Sequence, residues 1–212
     1  MSKLTIEQLK EYQIVAIVRG VPFGQIKEVF EALYLGGIRI AEITLNTDQA
    51  LEAIRCMREQ YGNRMWVGAG SVLNQDMAGE AIEAGAQFLV SPNVDEGMIR
   101  YSISRGIMPL PGVMTPTEIV QAVRFGASLV KVFPCTSLGV GYIKELQGPL
   151  SHIPMLAVGG IGVDNITAYK KAGAIGAGVG GSLINKEWVR KHEYEKLTDY
   201  ALQLIQQLRE IS

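Results

Sequence analysis

Histidine and cysteine are scarce in this chain, two of each in 212 residues, and the scarcity removes several chemistries at the outset. His152 and His192 stand alone, without the H-x-H or H-E-x-x-H spacing that would let histidines hold a catalytic divalent metal. Cys56 falls on an expected helix and Cys135 in an expected loop; they share no metal-ligand spacing, and no disulfide is expected in a reducing compartment. The residues therefore call for no metal and no cofactor. Charge of one sign is missing too. With a formal net charge of -1 and no basic run, the chain has no electrostatic footprint for nucleic acid or an anionic membrane, and the expected partner is a small molecule. Long apolar runs are also absent: the longest, Ala172 to Ile184, is glycine-rich and too short to span a bilayer. The N-terminal M-S-K-L-T-I-E-Q-L-K lacks the apolar core of a signal peptide, so the expected location is cytoplasmic.

What is present is a compact composition, 48% hydrophobic and 19% charged, enough for one core and a single domain over residues 1–212. Glycine punctuates it. Five times an expected helix ends at a glycine and an apolar strand follows within a residue or two, at Gly37, Gly85, Gly106, Gly126 and Gly173. Glycine suits the left-handed residue that closes a helix. The repeat length of about twenty to twenty-five residues, doubled where a unit lacks the glycine, fits one strand, one helix and two short loops. Strands are expected near Ile14, Ile40, Val67, Phe88, Pro109, Val130, Leu156 and Ile175. Helices are expected over Ile6 to Tyr12, Pro22 to Leu35 and Lys186 to Ile211. Eight strands alternating with helices predict a closed parallel (β/α)8 TIM barrel with a short N-terminal helix. A doubly wound open sheet is the competing arrangement, but it would need a G-x-G-x-x-G after the first strand, which Gly20 to Gly24 does not supply.

Two ionisable residues interrupt expected strands. Lys131 sits in S-L-V-K-V-F-P and Glu42 in I-R-I-A-E-I-T-L, where each desolvated charge must pair or change its protonation state. Period-two alternation puts Glu42 on one face with Ile40 and Thr44, and Lys131 with Leu129 and Phe133, so both can point into the barrel. Two readings stand: a structural Lys–Glu ion pair, or a nucleophilic amine with a depressed pKa beside a general acid and base. Around them, strand ends carry the remaining candidates. V-G-A-G-S-V offers the hydroxyl of Ser71 at the rim. Glycine loops at Gly159–Gly160 and Gly180–Gly181, each leading into helix-forming sequence, are either tight turns or a phosphate site at helix N-termini. Arg19, closing the first strand, is either a clamp for a carboxylate or an exposed loop residue. Pro92 and Pro111 sit at strand ends and shape the mouth.

With these residues in view the chain resembles the 2-keto-3-deoxy-6-phosphogluconate and 4-hydroxy-2-oxoglutarate aldolase family of class I barrel aldolases. The resemblance runs from Ile14 to Ser182 and rests on E-I-T-L at Glu42, G-A-G-S-V with Ser71, S-P at Pro92, P-G at Pro111, K-V-F-P at Lys131, G-G at Gly159 and G-G-S at Ser182. It implies that Lys131 is the Schiff-base nucleophile, Glu42 the acid and base, and Phe133 a wall of the pyruvate pocket. Thr115 joins the substrate-binding group, and Ser182 joins the glycines around phosphate. It also implies a homotrimer, pyruvate as one product, and a phosphorylated keto acid as substrate. Two positions depart from the family pattern: Asn46 stands where many members have arginine, and Val158 where many have threonine. Both resemble the branch acting on the galactonate epimer, with Arg19 then helping to hold the anion. The competing functions are a phosphosugar epimerase or isomerase on the same fold, and a non-catalytic phosphometabolite-binding barrel.

Overall fold

The structure, a computed structural model, describes residues 3–210. At its centre the described residues form one sheet of nine parallel strands: β1 (Ile14–Val18), β2 (Ile40–Thr44), β3 (Trp66–Gly70), β4 (Phe88–Val90), β5 (Met108–Leu110), β6 (Gly112–Val113), β7 (Val130–Val132), β8 (Met155–Val158) and β9 (Gly176–Val179). Their neighbour order is β5-β4-β3-β2-β1-β9-β8-β7-β6. The first strand thus pairs with both β2 and β9, and the two outermost strands are joined by the chain itself through Pro111. This is the expected (β/α)8 barrel with one correction, a fifth strand broken in two. Proline has no N–H to give a ladder. The segment before Pro111 pairs with β4, and the segment after it pairs with β7. The expected sixth, seventh and eighth strands are accordingly β7, β8 and β9. Every strand except β5 is followed by a helix.

The glycine punctuation has the predicted cause. Gly37, Gly85, Gly106, Gly126 and Gly173 have φ of 86°, 97°, 68°, 107° and 107°, the left-handed region in which a Cβ is penalised. Helix ends elsewhere depart from expectation by local chemistry. The Pro22 to Leu35 segment opens as a 3-10 turn, Phe23–Gln25, before the α-helix Ile26–Leu35. The last expected helix divides into Lys186–Arg190 and Tyr194–Arg209, parted where His192 takes a φ of 58°; Ile211 lies outside the described residues.

Alternation along the strands sorts the core into two compartments. Ala41, Ile43, Val130 and Val132 face the helices, whereas Val15, Ile40, Trp66, Phe88, Leu129 and Leu156 fill the barrel interior. The N-terminal helix Ile6–Tyr12 is capped by Thr5, whose hydroxyl accepts from the Gln8 amide while the Gln8 side chain returns the bond. It contributes Leu9, and Leu4 just before it, to the interior cluster. Tyr12 stacks at a tilt on Trp66, 5.6 Å between ring centroids. The helix therefore plugs the N-terminal end of the barrel and leaves the C-terminal end for chemistry. No helix among the described residues is long and apolar enough to cross a membrane.

Candidate active site

A cavity of about 760 Å³ opens at the C-terminal end of the strands. Lys131 and Phe133 from β7 and its loop, Arg19 and Ile17 from β1, Ser71 and Pro92 after β3 and β4, and Val158 from β8 line it. Gly159, Gly160, Gly180, Gly181 and Ser182 also line it. Ser71 holds a φ of 58°, which bends the chain at the rim. Two expected substrate contacts fall elsewhere. Asn46 is exposed in the turn after β2, a turn closed by the Thr47 amide donating to the Thr44 carbonyl at 2.9 Å. Thr115 is also exposed and occupied in a capping box: its amide donates to Glu118 Oε2 at 2.8 Å, and its hydroxyl accepts from the Glu118 amide at 3.3 Å.

Glu42 and Lys131 lie on the interior face as the period-two reading requires, 2% and 6% exposed. Neither forms a direct ion pair among the described residues, although each still favours the other's charged form from a distance. The Glu42 oxygen Oε2 is sealed from solvent without a hydrogen-bond partner. Its space is made by sequence: a Cβ at Gly70 on the neighbouring strand would collide with the Glu42 carboxylate. Burial pushes the Glu42 carboxyl up to about 7, against the opposing pull of the Lys131 and Arg19 cations. Burial likewise pushes the Lys131 amine below its usual range, with Glu42 acting against that shift and Arg19 adding to it. Lys131 Nζ stands 4.9 Å from the centroid of the Phe133 ring, so the aromatic face walls the nitrogen on one side. The result is a titratable acid poised near neutral pH, buried behind the cavity wall, and electrostatically coupled to an amine on that wall whose charged form burial disfavours, the pairing that imine chemistry requires.

The glycine loops are braced as a unit. Ser182 Oγ donates to the Ile161 carbonyl at 2.7 Å, joining the loops after β8 and β9. Asn165 holds the first of them from both sides: its Nδ2 donates to the Gly160 carbonyl at 2.8 Å and its Oδ1 accepts from the Gly162 amide at 2.9 Å. The expected placement at helix N-termini is corrected. The following helices begin only at Ile166 and Lys186 and run six and five residues, too short to supply much dipole.

Sequence reasoning passed over Thr47, Asn165, Lys186 and Tyr200. Thr47 is buried, its hydroxyl accepts from the Gly20 amide at 2.9 Å, and it lies 3.0 Å from the Thr44 hydroxyl. The turn after Arg19 is thereby pinned to the end of the strand carrying Glu42. The signal was the T-L-N-T spacing just past Glu42. Lys186 and Tyr200 line the cavity from the last two helices, and only the lysine, five residues past Gly181, was within reach of a motif argument. Among the described residues no group of three or more His, Cys, Asp or Glu side chains is arranged to hold a metal ion.

Comparison with known proteins gives concordant matches. The family model described as "Aldolase: KDPG and KHG aldolase" matches residues 5–200. A 2-dehydro-3-deoxy-6-phosphogalactonate aldolase of Escherichia coli (strain K12) is 34% identical over 171 residues, covering 80% of this chain and 83% of that protein. A 2-dehydro-3-deoxy-phosphogluconate aldolase of Treponema pallidum (strain Nichols) is 30% identical over 201 residues, covering 94% and 95%. Among solved structures, a native KDPGal structure superposes with a TM-score of 0.89 at 30% identity, covering 99% of this chain and 98% of that one.

Proposed function

Since the chain belongs to the KDPG and KHG aldolase family, we propose that Lys131 and Glu42 perform its carbon–carbon cleavage. The protein is a lyase, a class I aldolase that reversibly cleaves a 2-keto-3-deoxy-6-phospho-sugar acid to pyruvate and glyceraldehyde 3-phosphate. The observation that carries the assignment of roles is the pair itself: a buried amine with its pKa lowered, next to a buried carboxyl raised to about 7, with no ion pair between them.

In this reading the neutral Lys131 amine adds to the C2 ketone, and protonated Glu42 gives its proton to the departing hydroxyl as the carbinolamine becomes an iminium. Glutamate, now ionised, takes the proton of the C4 hydroxyl while the C3–C4 electron pair flows into the iminium. Glyceraldehyde 3-phosphate leaves. The enamine regains a proton at C3, and water hydrolyses the imine to release pyruvate and restore the amine. Arg19 holds the keto-acid carboxylate, Phe133 and Pro92 wall the pyruvate end, Ser71 offers a hydroxyl, and the glycine loops with Ser182 receive the phosphate. Asn46 and Thr115, which do not line the cavity, are given no role in this reading. The same chemistry extends to 4-hydroxy-2-oxoglutarate, giving pyruvate and glyoxylate. An epimerase or a passive binding barrel has no use for a buried, unpaired amine. A homotrimer and a cytoplasmic location complete the reading; exposed Leu73, Ile103, Met114 and Val123 support association, and sedimentation tests it.

The C4 epimer is proposed to be the galactonate one, accepted at least as well as the gluconate. Val158 is supporting evidence: it lines the cavity and offers shape without a hydrogen bond, and an unmade bond in a dry site is worth about 1 to 3 kcal/mol. The experiment is kcat/KM for both epimers on the native enzyme and on Val158→Thr. The substitution is expected to move the ratio toward gluconate by about tenfold. A native preference for gluconate that the substitution leaves in place would refute the assignment.

A further inference from the structure

Besides Lys131, the cavity wall carries two cations, Arg19 and Lys186, and neither has an ion-pair partner among the described residues. Glu187, beside Lys186 in sequence and also at the cavity wall, is already engaged by Arg190 at 2.7 Å. Asp164 is the other carboxylate on this wall and forms no ion pair with either cation. Lys186 follows the β9 glycine loop, and its stem runs back over the turn after β1: a Cβ built on Gly20 would lie 4.0 Å from Lys186 Cε. With Arg19 and Arg190 it also lines a smaller hollow of about 190 Å³. The lysine stem therefore lies beside the turn after Arg19, and the residue lines the same cavity as the glycine loops.

That cavity needs charge. A phosphate monoester enters as a dianion near neutral pH, while the glycines and Ser182 of the loops after β8 and β9 offer only uncharged groups, backbone N–H and a hydroxyl, and lead into helices of six and five residues, whose dipoles are small. We propose that Lys186 is the cation that neutralises the substrate's phosphate, so that the glycine loops supply the fit and Lys186 the charge that separates phosphorylated from unphosphorylated keto acids. The inference rests on the phosphate reading of the glycine loops given above. It divides the two unpaired cations between the two anionic ends of one substrate, Arg19 to the carboxylate and Lys186 to the phosphate.

The test is the steady-state kinetics of the intact enzyme on the phosphorylated six-carbon keto acid, for the native protein, Lys186→Met, Lys186→Arg and Gly181→Val, from about 0.02 to about 0.3 M NaCl. Lys186 is exposed, and equal thermal midpoints check that the methionine variant is folded. Lys186→Met is expected to raise KM by roughly tenfold or more while kcat stays within about twofold, and to flatten the rise of KM with salt. Arginine is expected to restore most of the loss. A native KM in Lys186→Met, a native salt dependence, or an arginine variant as impaired as the methionine one would overturn the proposal. Gly181→Val separates it from the reading beneath: nothing lies within 4 Å of a Cβ there, so its branches enter open cavity without backbone strain. If the valine raises KM and the methionine does not, the loops bind phosphate and Lys186 does not. If neither raises it, the phosphate reading falls as well.

Discussion

The two ends of the barrel are built from the same strands on the same inward face, yet they are opposites in chemistry. At the N-terminal end Ile40 and Leu129 pack with Trp66, Leu156 and the helix residue Leu9, a layer in which each buried side chain contributes about 1.5 to 3 kcal/mol. Two residues further along, Ile40 gives way to Glu42 and Leu129 to Lys131. Both remain almost fully buried, but burial now opposes the ionised forms, and one Glu42 oxygen is left without a partner. The difference teaches that stability and reactivity are divided by height within the barrel: the plugged end holds the fold, and the open end spends part of that stability on burying two groups whose charged forms burial disfavours.

The sharpest way to break the contrast is at Glu42. Glu42→Gln keeps the shape and the neighbours but removes the proton, and turnover is expected to fall by about 10² to 10⁴, read from the rate of pyruvate release. Near-native turnover would reduce Glu42 to a packing residue. At the opposite end Leu9→Ala should lower unfolding stability by about 2 to 5 kcal/mol, measured by denaturant titration, while kcat of the folded enzyme changes by less than about twofold. A loss of kcat as large as that of Glu42→Gln would show that the ends are not separable.

A smaller effect carries the sign of the burial argument. A carboxyl whose folded pKa is raised binds more protons folded than unfolded, so its contribution to stability is fullest below the usual carboxylate range and is lost as pH rises through that range to about 7. Glutamine removes this loss. Relative to the native protein, Glu42→Gln should therefore gain stability between about pH 4.5 and about pH 7, by on the order of 2 to 3 kcal/mol at the upper end. Parallel pH–stability curves for the two proteins would contradict the raised carboxyl.

Much of this division was legible in the sequence because it follows from period. Alternation put Glu42 and Lys131 inside, and the helix-closing glycines fell in the left-handed region where they were expected. What escaped notice depended on breaks in regularity or on contacts across the chain. Pro111 splits a strand because its neighbours change partners there. Asn46, a substrate-contact expectation by resemblance, is exposed in the turn that Thr44 and Thr47 close and is not on the cavity wall. Lys186 and Tyr200 reach the cavity only once the last helix packs against Ile26–Leu35 and Ile166–Lys171, a distance that no spacing rule encodes.

The central claim is that the Lys131 amine is a nucleophile and not a buried counter-charge. Incubating the enzyme with pyruvate and borohydride, then mapping the product by peptide mass spectrometry, tests it directly. The expected result is one reduced pyruvate adduct on Lys131, absent from Lys131→Ala. No adduct on the native enzyme, or an adduct that persists in the alanine variant, would contradict it.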